Sequence, residues 1–235
     1  MTTEERRRGL FVTGTDTDVG KTVVSRGLMH ALRASGLPVR GFKPVAAGCE
    51  RTAHGLRNGD ALALQRLSDG SPAYHVTNPV ALEPAIAPHL AAAQIGTQLR
   101  AADLADHIRA NALAGEGVNL VEGAGGWLVP LNRRETLADL AHCLGYPVIL
   151  VVAIRLGCIN HSLLSAAAIR DSGLSLAGWI ANCTAAETPL LDEQVDAIRE
   201  RLGAPLLGRI GFAADPTPAT VAAQLDHDAL GGLFA

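Results

Sequence analysis

Of the 20 lysine and arginine side chains in this sequence, only Lys21 and Lys43 are lysines. Arginine presents a broad planar fork, whereas lysine is a compact point charge with three rotatable donors. A chain that uses arginine almost everywhere and keeps lysine at two places marks both for close work on phosphate or substrate. Lys21 lies in Gly14-Thr15-Asp16-Thr17-Asp18-Val19-Gly20-Lys21-Thr22. Between a strand and a helix, the backbone N–H groups of such a turn and the positive helix end cradle phosphate oxygens. Lys21 would reach the β- and γ-phosphates, and the Thr22 hydroxyl would ligate Mg²⁺. The strict spacing GxxxxGK[ST] is not kept, because Gly14 comes one residue early and Thr15 stands in the glycine's place. The ending Gly20-Lys21-Thr22 still specifies a phosphate-binding turn.

Lys43 closes the run Gly41-Phe42-Lys43-Pro44-Val45. Proline stops a strand, so Lys43 should project at its carboxyl edge, beside the phosphate turn. The run Val118-Asn119-Leu120-Val121 ends in Glu122 and is followed by Gly123-Ala124-Gly125-Gly126. P-loop proteins hold or orient Mg²⁺ with a carboxylate at this strand end, more commonly an aspartate. Asp60, after Arg57-Asn58-Gly59, is a second oxygen donor; a helix N-cap or first-turn acid is its plain structural alternative.

These residues need a scaffold that brings strand ends together. Apolar, β-branched runs recur at Leu10 to Thr13, Val39 to Phe42, Val118 to Val121, Val148 to Val152, Leu176 to Ala181 and Leu206 to Ile210. Helical periodicity follows over Val23 to Ala34, Asp60 to Leu67, Leu99 to Leu113, Leu137 to Leu144, Asn160 to Asp171 and Leu190 to Leu202. Strand and helix alternate, and the strands lack a clean period of two. The expectation is a single α/β domain of P-loop NTPase type, its mostly parallel sheet covered by helices on both faces. Ligands of such a sheet bind outside the carboxyl ends of the strands. Residues Ser71 to Gln94 read as a long irregular connection.

Composition narrows the partners. At 48% hydrophobic residues the chain of 235 can bury a sizeable core, built from Ala, Val, Leu and Ile because aromatics are 3%. A net charge of −3 gives no reason to expect nucleic acid. The run Val148 to Ile154 is too short to cross a bilayer, and no long apolar stretch follows Arg6, Arg7 and Arg8. Residues 1–8 therefore read as a short solvated arm. Cys49, Cys143, Cys158 and Cys183 are scattered without CxxC or Cys/His metal spacing, which suits a reducing cytoplasm and no structural zinc.

Taken in order, Phe11 to Thr22, Gly41 to Ala46, Leu56 to Ala61, Val121 to Trp127, Leu156 to His161 and Gly178 to Asn182 resemble the dethiobiotin synthetase family over roughly residues 10 to 212. The resemblance implies an ATP- and Mg²⁺-dependent carbon–nitrogen ligase of biotin biosynthesis. In it 7,8-diaminononanoate and carbon dioxide form a carbamate, ATP phosphorylates it, and the second amine closes a ureido ring. It implies catalytic roles for Lys43, Lys21 and Thr17, and metal ligation by Thr22, Asp60 and Glu122. ATP would be held by Asp18, Val19, Gly20, Lys21, Thr22, Val23, Asp60, Glu122, Gly123, Ala124 and Gly125. Asn182 matches the adenine-recognising asparagine; Cys183, Ile210, Gly211 and Phe212 match positions beside the base. Thr17, Lys43, Ala47, Gly157, Cys158, Ile159 and Asn160 match substrate positions, the last four contributed across a two-fold interface of a cytoplasmic homodimer.

Three departures from the family pattern stand out. Ala47 replaces a frequent hydroxyl residue that contacts substrate. Asp18 replaces a frequent glutamate. Gly211 replaces a frequent proline, and the flexibility it brings is expected to loosen discrimination among bases. Two rival readings stay open. One is a cobyrinate-type P-loop amide ligase, which usually carries a glutaminase domain. The other is a partitioning ATPase, a nucleotide switch that favours a second lysine early in the phosphate loop.

Overall fold

The computed structural model describes residues 8–234. Of the arm expected at residues 1–8, all but Arg8 lies outside them, and Arg8 is no arm: it opens the first strand, opposite Val118. The chain runs β1 (Arg8–Gly14), α1 (Lys21–Ala34), β2 (Val39–Phe42), β3 (Val45–Ala46), β4 (Glu50–Thr52), β5 (Gly55–Arg57), α2 (Gly59–Leu67), α3 (Tyr74–Thr77), β6 (Val80–Ala81) and α4 (Pro88–Gln94). It continues through α5 (Ala101–Asn111), β7 (Val118–Gly126), α6 (Leu137–Leu144), β8 (Val148–Ala153), α7 (Cys158–Asp171), β9 (Leu176–Asn182), α8 (Leu191–Leu202), β10 (Leu206–Ile210), α9 (Pro218–Ala222) and α10 (His227–Gly232).

Six strands form one sheet in the order β10-β9-β8-β1-β7-β2, every pair parallel. Its central strands are buried on both faces, which is why their sequences show no alternation of polarity. Along β8, Val148, Leu150 and Val152 enter one core while Ile149 and Val151 enter the other. The first core packs the sheet against α5, α6, α7 and α8; the second packs it against α1, α2, α9 and α10. Burial of apolar side chains on two faces is what fixes the register of each strand. Asn119, wholly buried in β7, keeps its amide satisfied: it accepts from Leu113 N and donates to the carbonyls of Arg8 and Leu113.

Two expectations need correction. Strand β7 does not end in Glu122; it runs on to Gly126, which pairs with Gly14 of β1. Residues 71–94 are not one irregular connection, since α3, β6 and α4 lie within them and β6 pairs in parallel with β3. Beyond residue 212 the chain forms α9 and α10 and closes the second core. A Cβ on Gly27 of α1 would stand 2.3 Å from Val221, so that glycine lets α1 and α9 approach.

Candidate active site

The site lies where β1, β7 and β2 end side by side. Strand β1 passes into the phosphate turn, anchored by Thr15 N donating to Val151 O of β8 at 3.1 Å. Gly14 leaves room for the lysine, because a Cβ there would stand 3.2 Å from Lys21 Nζ and 2.5 Å from Val19. Gly20 precedes α1 at φ 88°, a left-handed conformation that glycine adopts without strain. A Cβ at Gly20 would also collide with the Asn182 amide at 2.0 Å. That amide donates to Val19 O at 2.8 Å, so β9 clamps the turn from behind. Lys21 Nζ donates to Asp16 O at 2.9 Å, while the Asp16 carboxylate pairs with Arg155 at 3.1 Å.

Strand order places Glu122 in the middle. It lies opposite Val12 of β1, and its neighbour Val121 lies opposite Phe42 of β2, one residue before Lys43. Glu122 Oε1 accepts from Thr22 Oγ1 at 2.7 Å and from Lys43 Nζ at 2.6 Å. Lys43 also donates to Asp60 Oδ2 and to Gly123 O, each at 3.2 Å. Asp60 lies in the first turn of α2, whose N-cap is Asn58. It is a first-turn acid, as its plain structural reading has it, and its side chain also pairs with Lys43.

Burial gives the two lysines different electrostatics. Lys21 falls from the ordinary 10.5 to about 8, first because burial penalises its charge and then because Lys43 repels it. For Lys43 burial is the largest single influence and acts downward, but the Glu122 and Asp60 carboxylates outweigh it and hold the ammonium above its ordinary value.

A cleft of about 910 Å³ opens over these groups. Of the residues assigned to the site from sequence, Thr17, Asp18, Gly20, Lys21, Thr22, Val23, Lys43, Ala47, Asp60, Ala124 and Gly125 line it. Val19 is instead packed in the core beneath the turn, and the wholly buried Glu122 lies behind the lining residues. A second, smaller cleft of about 260 Å³ gathers Cys183, Gly211 and Phe212, the positions matched to the base. Ile210 is buried in β10 behind it. Gly211 is not left loose: its N–H donates to Gln224 Oε1 at 2.8 Å. Gly157, Cys158, Ile159 and Asn160 line neither cleft. Cys158 N already donates to Arg155 O, and the helical ladder begins with His161 N to Gly157 O, so among the described residues Ile159 N and Asn160 N are the donors of that turn with no backbone acceptor.

Sequence reasoning missed several residues. Asn58 lines the cleft and caps α2 through Ala61 N; an asparagine directly before a helical run is a readable cap signal. Ala85, Ile86, Ala87, Pro88, Val129 and Pro130 form an apolar wall that no motif announces.

Comparisons with known proteins give a family and a fold. The family described as AAA domain matches residues 8–220. A protein of Pseudomonas paraeruginosa named ATP-dependent dethiobiotin synthetase BioD is 57% identical over 221 residues, covering 94% of this chain and 97% of its own. Proteins of the same name from Cellvibrio japonicus and Xanthomonas oryzae pv. oryzae are 52% and 48% identical. They cover 94% and 92% of this chain, and 96% of their own lengths. Among solved structures, a ParA family ATPase from Chlorobium tepidum TLS aligns with a TM-score of 0.54 at 11% identity, over 94% of this chain and 91% of that one. At that identity the likeness is one of fold.

Proposed function

The chain belongs to the ATP-dependent dethiobiotin synthetase family, and from that membership we propose how its site carries out the reaction. It is an ATP-dependent ligase that forms carbon–nitrogen bonds. The diamine 7,8-diaminononanoate adds one amine to carbon dioxide and loses a proton, giving a carbamate. A carbamate oxygen attacks the γ-phosphorus of ATP, and ADP leaves. The second amine then attacks the carbonyl carbon of the mixed anhydride, phosphate leaves, and the ureido ring of dethiobiotin closes.

The observation that carries this reading is the row Thr22–Glu122–Lys43–Asp60, joined by contacts of 2.7, 2.6 and 3.2 Å at the mouth of the phosphate turn. Lys21 holds the transferred phosphoryl group from the turn, and Lys43 holds the carbamate end from β2. Both act by positioning and by stabilising charge that spreads between carbamate and phosphate. Thr17, whose hydroxyl would lie 3.3 Å from a Cβ on Gly125, borders the amine end. The apolar wall of Ala85 to Pro88 suits the methylene chain of the diamine.

The same row fits Mg²⁺. Thr22, Asp60 and Glu122 are hard oxygen donors, and Glu122 Oε2 is a buried oxygen with no hydrogen-bond partner. When bound there, the ion would neutralise charge on the β- and γ-phosphates. Asn182 would receive the adenine in company with Cys183, Gly211 and Phe212.

We further propose a cytoplasmic homodimer that completes each site across the interface, with Asn160 and the N–H groups of its turn binding the diamine carboxylate. In support, that turn lines neither of the two clefts described above, and the neighbouring Leu156 and Leu164 are exposed. Neither rival reading gains: relatives matching nearly end to end carry the synthetase name, and the ParA likeness extends only to fold. The test is ATP turnover by the purified chain, which should require diamine and bicarbonate together. ADP release with either one alone would contradict the reading.

A further inference from the structure

The stretch between α2 and α4 contributes more than a wall. Two consecutive residues at the end of α3 hold both main-chain polar groups of Lys43. Lys43 N donates to Thr77 O at 2.8 Å, and Lys43 O accepts from Asn78 Nδ2 at 2.7 Å. Asn78 is itself buried, its Nδ2 also donating to Val80 O at 3.0 Å. Its Oδ1 accepts from the Tyr74 hydroxyl at 3.0 Å. That hydroxyl in turn accepts from Asn58 N at 2.8 Å. Asn58 caps α2, accepting from Ala61 N through its side chain and from Leu62 N through its carbonyl.

These bonds close a ring. From Lys43 O it passes through Asn78, Tyr74 and Asn58 to the first turn of α2, where Asp60 returns to Lys43 Nζ at 3.2 Å. We propose that Tyr74 and Asn78 are positioning residues of the ligase reaction, setting the place of the Lys43 ammonium against the Asp60 carboxylate. Neither lines the cleft, so both act through other residues. This rests on the role given above to Lys43.

The chemistry of the relay is specific. A phenol can accept from one N–H and donate to one oxygen at once. Phenylalanine can do neither and would leave Asn58 N and Asn78 Oδ1 without that partner. The ring itself is held independently, because the Arg57 guanidinium stacks over it at 4.2 Å from the ring centre. Lysine reaches its target on a flexible four-carbon stem, so its ammonium is only as well placed as the backbone that carries it. Misplacement of a reacting group by 1 Å can cost on the order of 10²-fold in rate.

The test is Tyr74→Phe, alone and combined with Asp60→Ala, assayed at saturating ATP, diamine and bicarbonate well below the thermal midpoint. The single variant should lose about tenfold or more in kcat, while nucleotide affinity stays within about twofold because the phosphate turn lies outside the ring. In the Asp60→Ala background, where Lys43 Nζ loses that acceptor, the same change should cost little more, since the ring is already broken. Tyr74→Phe that lowers only the thermal midpoint, or that costs the same factor in both backgrounds, would overturn the inference. Wild-type chain that makes no ureido product would overturn it together with the function it rests on. An active wild type with an indifferent Tyr74→Phe would overturn the inference alone.

Discussion

Lys43 Nζ lies 2.6 Å from Glu122 Oε1 in a pair whose side chains are 6% and 0% exposed. The same oxygen accepts from Thr22 of the phosphate turn, so one buried carboxylate joins two strand ends and the start of α1. A buried ion pair is not strong evidence of net stability, but removing one partner leaves an uncompensated charge.

Glu122→Gln tests this coupling. It keeps the shape of the side chain and removes its charge, and it should destabilise the ligand-free protein by about 3–5 kcal/mol. Denaturant unfolding at neutral pH measures it. A loss of less than about 0.5 kcal/mol, the range of an ordinary surface change, would show that Asp60 alone satisfies Lys43.

The two lysines should separate in kinetics. Lys21→Ala should lose nucleotide affinity and turnover together, because a phosphate contact goes. Lys43→Arg keeps a charge but puts a planar fork where a compact donor fits. Nucleotide should still bind while turnover falls by about 10²–10³-fold, the scale of one preorganised donor. Near-normal turnover in Lys43→Arg would remove Lys43 from the mechanism.

Lys21 also sets a pH dependence. Its folded-state value of about 8 lies below the ordinary 10.5. Between those limits the unfolded chain binds more protons, so its contribution to stability rises with pH across that window. Nucleotide affinity should move the other way, falling by up to about tenfold per pH unit above 8 as the free enzyme's lysine becomes neutral. Titration calorimetry in buffers of different ionisation heat should find proton uptake on nucleotide binding just above pH 8, and Lys21→Arg should abolish it. Equal heats after buffer correction would contradict the assignment.

Much of this was readable before the structure, for physical reasons that differ from residue to residue. The six sheet strands announce themselves because burial on both faces demands continuous apolar runs, as in Val148 to Val152. Lys21, Thr22, Lys43 and Glu122 are legible because strand ends in a parallel sheet must meet. Tyr74, Asn78 and Gln224 are not, since each acts through a hydrogen bond to a residue remote in sequence or outside any motif. The segment over 71–94 was opaque for a related reason: α3 is a single turn and β6 two residues long, too short for either period to register. The flexibility expected at Gly211 overlooked Gln224, whose side chain fastens the glycine N–H.

Shared sites make a prediction about mixtures. Asn160→Ala should weaken diamine binding and leave nucleotide binding intact. A dimer of one Lys43→Ala subunit and one Asn160→Ala subunit would place both defects in one site and leave the other whole. Mixed dimers should therefore regain up to about half of the wild-type activity per dimer, measured against each parent alone. No rescue, or a monomer that is fully active, would mean that each chain completes its own site.

The proposed chemistry spends one ATP at this site for each ureido ring built from a diamine and carbon dioxide. The direct measurement supplies ¹³C-bicarbonate, diamine and ATP to the purified protein, and counts ADP against labelled product. One ADP should appear for each ring carrying ¹³C at its carbonyl, and neither should form when the diamine is left out. ADP without labelled ring, or ring closure without ATP, would contradict this reaction.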